Sequence, residues 1–84
     1  MPMLDNPRLV RHRVFDLCAG TNVRTLRVEV GMEQRKLAEL VDMDVTQLSR
    51  VENGQRSLKF KEALAIAGVL GVKPERLTRP LNGR

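Results

Sequence analysis

Side chains able to do covalent or metal chemistry are few in this chain, and they are scattered. One histidine, His12, and one cysteine, Cys18, stand near its start. A catalytic nucleophile needs a base within hydrogen-bond reach and a third group to orient that base. Ser49 has no histidine in its own motif, and His12 and Cys18 have no third partner. One His and one Cys cannot close a zinc site of the usual Cys/His type. A lone cysteine forms no intrachain disulfide, which fits a reducing compartment. Acidic residues read as helix-surface or capping groups, and no glycine-rich phosphate loop is present. No catalytic residue, metal ligand or cofactor is expected, and the chain does not read as an enzyme.

The organised chemistry is hydrogen bonding and charge. From Gln34 to Gly54 the chain reads QRKLAELVDMDVTQLSRVENG. This pattern is two short amphipathic helices joined by a tight turn. Such an element typically lays its second helix into the major groove of duplex DNA. With Leu48 and Val51 turned inward, Thr46, Gln47 and Arg50 lie on the outer side of that helix, and Val45 lies near its N-terminus. Arg50 can bond guanine O6 and N7 in bidentate fashion, and the methyl groups of Val45 and Thr46 suit a thymine methyl. The plain alternative for Arg50 is a solvated helix cation. Arg56, Ser57 and Lys59 follow in a polar loop facing the sugar-phosphate backbone. Arg35 and Lys61 stand on charged helix faces of a kind that is often merely solvated.

Composition agrees with this chemistry. The chain has 84 residues and a formal charge of +5, an excess that favours a polyanion. Hydrophobic residues make up 42%, enough for one small collapsed domain. Two Phe with no Trp or Tyr argue against stacking of unpaired bases on aromatic platforms. No apolar run approaches the ~20 residues of a membrane span, and no signal-peptide pattern opens the chain.

The elements that must position these residues are all helical. Asn6 can cap a helix opened by Pro7 and carried by Val10, Val14, Leu17 and Cys18. Gly20 interrupts the pattern. A second helix runs from Thr21 or Asn22 to Val30 with Val23, Leu26 and Val30 inward, unless the two merge into one helix bent at Gly20. Gly31 is placed as a C-terminal stop. The next helix covers 33–41, burying Leu37, Ala38 and Val41. Asp44 caps the following one, and Asp44-Val45-Thr46-Gln47 has the form of a capping box. A further helix covers 59–70 with Phe60, Ala63, Leu64, Ala67 and Leu70 as its stripe, and Gly71 ends it. Pro74 opens a last short helix through Leu77. The expected organisation is an N-terminal arm and basic helix over 1–20, a helix-turn-helix domain over 21–79 and a frayed tail over 80–84.

From about Val23 to Leu77 the chain resembles the phage Cro/repressor type of helix-turn-helix domain, the XRE family. The matching residues are Leu26-Arg27, Gly31-Met32, Gln34, Leu37-Ala38, Leu48, Val51, Glu52-Asn53-Gly54 and Leu70-Gly71-Val72. The resemblance implies an all-α, lambda-repressor-like five-helix fold, here with an extra N-terminal helix. It implies base contacts from Val45, Thr46 and Arg50, with Gln47 a further candidate. It implies phosphate contacts from Gln34 and Asn53, to which Arg35, Arg56, Ser57 and Lys59 are added. Glu52 would be repelled by phosphates, and the resemblance pairs it instead with Arg27 as a structural tie. Asp42 departs from the family pattern, standing where Gly is common in the turn. A positive φ there costs a residue with Cβ on the order of 1 kcal/mol.

The function so implied is sequence-specific binding of double-stranded DNA by a cytoplasmic, nucleoid-associated transcription regulator, read as a repressor. Regulators of this kind bind as homodimers to palindromic operators with half-sites about 34 Å apart. A phage switch, a restriction–modification controller and an antitoxin all fit. The alternative is an antitoxin or adaptor whose main role is holding a protein partner such as a toxin. The first helix can serve as a packing extension, a dimer contact or a basic arm along DNA.

Overall fold

In the computed structural model, secondary structure is described for residues 7–78 and side-chain surroundings for residues 18–78. Four α-helices and a terminal 3₁₀ turn follow in order: α1 Pro7–Glu29, α2 Gln34–Leu40, α3 Val45–Glu52, α4 Phe60–Leu70, and the 3₁₀ turn Pro74–Leu77. The class is all-α, but the expected helix count is corrected. The N-terminal segment is not an extra helix; it is the first half of α1, which runs unbroken through residues 20 and 21. Val10, Val14 and Leu17, like the Asn6 cap, lie outside the residues whose surroundings are described.

Packing explains why a glycine, Gly20, stands inside this continuous helix. A Cβ built there would fall on the carbonyl oxygen of Val51 and stand 3.0 Å from its carbonyl carbon. Gly20 is therefore not a breaker. It removes a side chain where the end of α3 rests on α1, at a helix-propensity cost of about 1 kcal/mol relative to Ala.

The core gathers Val23 and Leu26 from α1, Leu37 and Ala38 from α2, Leu48 from α3, Ile66, Ala67 and Leu70 from α4, and Leu77. Val51 and Ala19 are also buried. Two expectations fail here. Val30 is exposed, because the chain leaves the helical path at Gly31. Phe60 and Leu64 face outward at 77% and 44% exposure, while Ile66 is fully buried. The α4 sequence FKEALAIAGVL is apolar on nearly every side, so periodicity alone cannot pick its inner face.

Helices α1, α2 and α3 end in the same way. After α1, Met32 N–H reaches Arg27 O and Gly31 N–H reaches Val28 O. After α3, Gln55 N–H reaches Arg50 O and Gly54 N–H reaches Val51 O. After α2, Met43 N–H reaches Ala38 O and Asp42 N–H reaches Glu39 O. Each is a Schellman stop with one left-handed residue. That residue is Gly31, Gly54 or, in the α2–α3 turn, Asp42 at φ 57°. Asn22 closes the fold from the other side. It is buried, and its Nδ2 donates to Arg76 O at 3.2 Å and Leu77 O at 3.1 Å, binding α1 to the 3₁₀ turn.

Candidate nucleic-acid interface

The sharp stop at Asp42 reverses the chain within four residues, and Asp44 starts α3 at once. Its carboxylate accepts from Thr46 N–H at 2.8 Å, satisfying one of the open donors of the first turn. The return bond from Gln47 that a capping box requires is not part of this cap. Gln47 is half-buried instead.

α3 divides cleanly into two sides. Leu48, Val51 and Glu52 are buried. Thr46 and Arg50 are exposed, with Val45, Gln47 and Ser49 half-buried between. Val45 packs partly against the core, so only part of its side chain faces out.

Glu52 is held inside by three donors. Arg27 Nε reaches Oε2 at 2.8 Å, Arg27 Nη2 reaches Oε1 at 3.0 Å, and Gln34 Nε2 reaches Oε1 at 3.0 Å. Arg27 Nη1 also donates to Met32 O at 2.7 Å. One carboxylate thus joins α1, the start of α2 and the end of α3. The angle at which α3 stands out from the body is set by this tie, by Leu37 and Ala38 behind it, and by the Gly20 contact. Gln34 keeps one amide hydrogen free for another acceptor.

The other candidate contact residues lie on the flank that follows α3 and on α2. Asn53, Ser57 and Lys59 are exposed, and Arg35 is exposed on α2. Arg56 is already engaged. Its Nη1 and Nη2 donate to Glu62 at 2.9 Å each, and Nη1 also reaches Ser57 O at 3.0 Å. The bond to Glu62 raises the Arg56 pKa, against a smaller opposing effect of burial. The same bond lowers the pKa of Glu62, helped by Lys59 N–H at 3.0 Å, while burial acts the other way. Two of the five guanidinium hydrogens of Arg56 stay available. Sequence reasoning missed the Arg56–Glu62 pair, although Glu62 three residues after Lys59 is the spacing of a carboxylate that bonds back to its helix start.

Two helices locked at a fixed angle, a tight turn between them and a polar outer side on the second define a helix-turn-helix, which reads base edges in a groove about 12 Å wide. The helix-turn-helix family model matches residues 23–77. The chain belongs to the XRE-type helix-turn-helix family of DNA-binding transcription regulators. A propionyl-CoA carboxylase regulator from Cereibacter sphaeroides is 36% identical over 62 residues, 74% of this chain. The chain spans only 13% of that relative's length. Among solved structures, the restriction-modification controller protein C.AhdI from Aeromonas hydrophila is 33% identical with a TM-score of 0.69, covering 73% of this chain and 92% of its own. The hypothetical transcription factor NHTF from Neisseria is 29% identical with a TM-score of 0.74, covering 79% of this chain and 76% of its own.

Proposed function

We propose that the protein is a sequence-specific repressor that works by occupying an operator in duplex DNA, in the cytoplasm and on the nucleoid. α3 enters the major groove. Arg50 pairs with a guanine edge, Thr46 and the exposed part of Val45 meet thymine methyls, and Gln47 is the weakest of the four base contacts. Gln34, Arg35, Asn53, Arg56, Ser57 and Lys59 grip the phosphates on either side. Two copies bind a palindromic site. The observation that carries this reading is the two-sided character of α3: Thr46 and Arg50 are exposed while the opposite side is anchored by Leu48, Val51 and the Glu52 tie.

The test is selection of bound sites from random duplex DNA, repeated with Arg50→Ala. The expected result is loss of discrimination at one base pair per half-site, worth about 1–3 kcal/mol, with unchanged melting. Uniform weakening at every position would move Arg50 to the phosphate contacts. Affinity should also fall steeply with salt. A chain that served only as an adaptor for a protein such as a toxin would select no site.

A further inference from the structure

Glu62 is a carboxylate bonded to Arg56, one of the proposed phosphate contacts. A negative group beside such a contact repels the phosphate, so charge alone disfavours it there. The hydrogen bonds of Arg56 show what the carboxylate does instead. Nη1 donates to Glu62 Oε1 and Nη2 to Glu62 Oε2, both at 2.9 Å, so Glu62 takes the end of the guanidinium. Nη1 gives its other hydrogen to Ser57 O at 3.0 Å. What remains is Nε–H and the outer hydrogen of Nη2. These two lie along one edge of the guanidinium plane and point the same way, the fork that meets two oxygens of a single phosphate. Arg56 stays partly exposed, so the pinned group is not sealed from a ligand. Glu62 is itself fixed, because Oε1 also accepts from Lys59 N–H at 3.0 Å at the start of α4.

We propose that Glu62 is a positioning residue for DNA binding: it holds Arg56 in one rotamer, whose free edge takes a backbone phosphate in bidentate fashion. An unheld arginine loses rotamer freedom when it grips a phosphate, whereas here that loss is already incurred in the free protein. The proposal deepens the reading of Arg56 as a phosphate contact and rests on it.

Glu62→Gln separates positioning from charge. The amide oxygen still accepts from Lys59 N–H, as Gln does at this capping position, but the NH₂ group faces Arg56 Nη2 and breaks the fork. Loss of a negative charge beside DNA predicts tighter binding; loss of positioning predicts weaker binding. Affinity for the duplex site selected by wild type is measured over a range of salt for wild type, Glu62→Gln, Arg56→Ala and the double variant, each at a temperature well below its melting point. Glu62→Gln is expected to weaken binding about threefold to tenfold. Arg56→Ala is expected to weaken it further and to lower the salt slope by about 1. In the Arg56→Ala background Glu62→Gln should leave affinity unchanged or raise it, since no guanidinium is left to hold. Tighter or unchanged binding by the single Glu62→Gln variant overturns the proposal. An equal weakening in the Arg56→Ala background also overturns it, because that marks an effect on the fold. Unchanged affinity and salt slope in Arg56→Ala overturn it while leaving the reading of α3 in place. A wild type that selects no duplex site overturns that reading as well.

Discussion

Two arginine–glutamate pairs of nearly the same chemistry sit at the two ends of the segment that runs from α3 into α4. Arg27 and Glu52 meet at 2.8 Å with side chains 12% and 2% exposed, and they join helices 25 residues apart. Arg56 and Glu62 meet at 2.9 Å with side chains 22% and 12% exposed, only six residues apart. Both are bidentate. The difference lies in what each pair closes. The first fixes how α3 stands on the body. The second folds a loop onto the first turn of α4. Burial and sequence span, not bond count, decide which pair the fold depends on.

Glu52→Ala should therefore have the largest effect on stability. It leaves the Arg27 guanidinium buried with only Met32 O as acceptor and frees Gln34. Removing one partner of a buried pair costs about 3–5 kcal/mol. That is a large share of the roughly 4–13 kcal/mol expected for a chain of this size. The expected outcome is a lowered midpoint in urea, with DNA affinity lost in step with folding. A protein that melted as wild type but bound weakly would show Glu52 acting at the DNA and would void the contrast with Glu62.

Gly20→Ala probes the same junction without touching charge. Helix propensity alone predicts a gain of about 1 kcal/mol. The added carbon meets the Val51 carbonyl, backbone that cannot rotate aside, and overpacking costs about 1–3 kcal/mol or more. A net loss of about 2 kcal/mol in thermal unfolding is expected. A gain would mean that α1 and α3 are not in contact there.

These two sites also mark where sequence reading succeeded and where it could not. Helix ends were legible because stops and caps are local: Gly31, Asp44, Gly71 and Pro74 declare themselves within a few residues. The Arg27–Glu52 pairing came from family resemblance alone, since no local rule links residues 25 apart. At Gly20 sequence left an interruption and a merged helix both open, because a glycine chosen for interhelical closeness looks the same in sequence as one chosen for a turn. Asn22 read as a helix start, yet its side chain holds carbonyls 54 and 55 residues away. The face of α4 failed for a different reason. A helix with Phe60 and Leu64 on one side and Ile66 on another carries two apolar surfaces, and only packing tells which one is inward.

The local pair should yield a smaller and pH-dependent effect. Glu62→Ala removes the Arg56 contact and the bond to Lys59 N–H, for about 1–2 kcal/mol together. The folded-state pKa of Glu62 lies below its ordinary value of 4.5, chiefly through Arg56. Its contribution is therefore complete above that value and is lost as pH falls through the depressed folded pKa. Urea midpoints of wild type and Glu62→Ala should differ at pH 7 and converge in acid as the pH falls below 4.5 and on through the depressed folded-state pKa. Equal midpoints at pH 7 would place this pair among surface contacts of no energetic weight.

The smallest effect separates the α2–α3 turn from the ends of α1 and α3. All three stops share their hydrogen bonds, but only this turn places a residue with a side chain at positive φ. Asp is tolerated there at a cost below that of a bulkier residue, and its charge lies unfavourably at the negative end of α2. Asp42→Gly relieves both, while the more flexible unfolded chain takes part of the gain back. The net expectation is a stabilisation of about 0.5–1 kcal/mol, read as a higher melting temperature. Asp42→Asn divides the two causes, since it keeps the tolerance for positive φ and removes the charge. If strain dominates, Asn should melt close to wild type and Gly above it. If charge dominates, Asn and Gly should rise together. A lower melting temperature for Asp42→Gly would contradict the left-handed turn itself, and with it the angle at which α3 leaves α2.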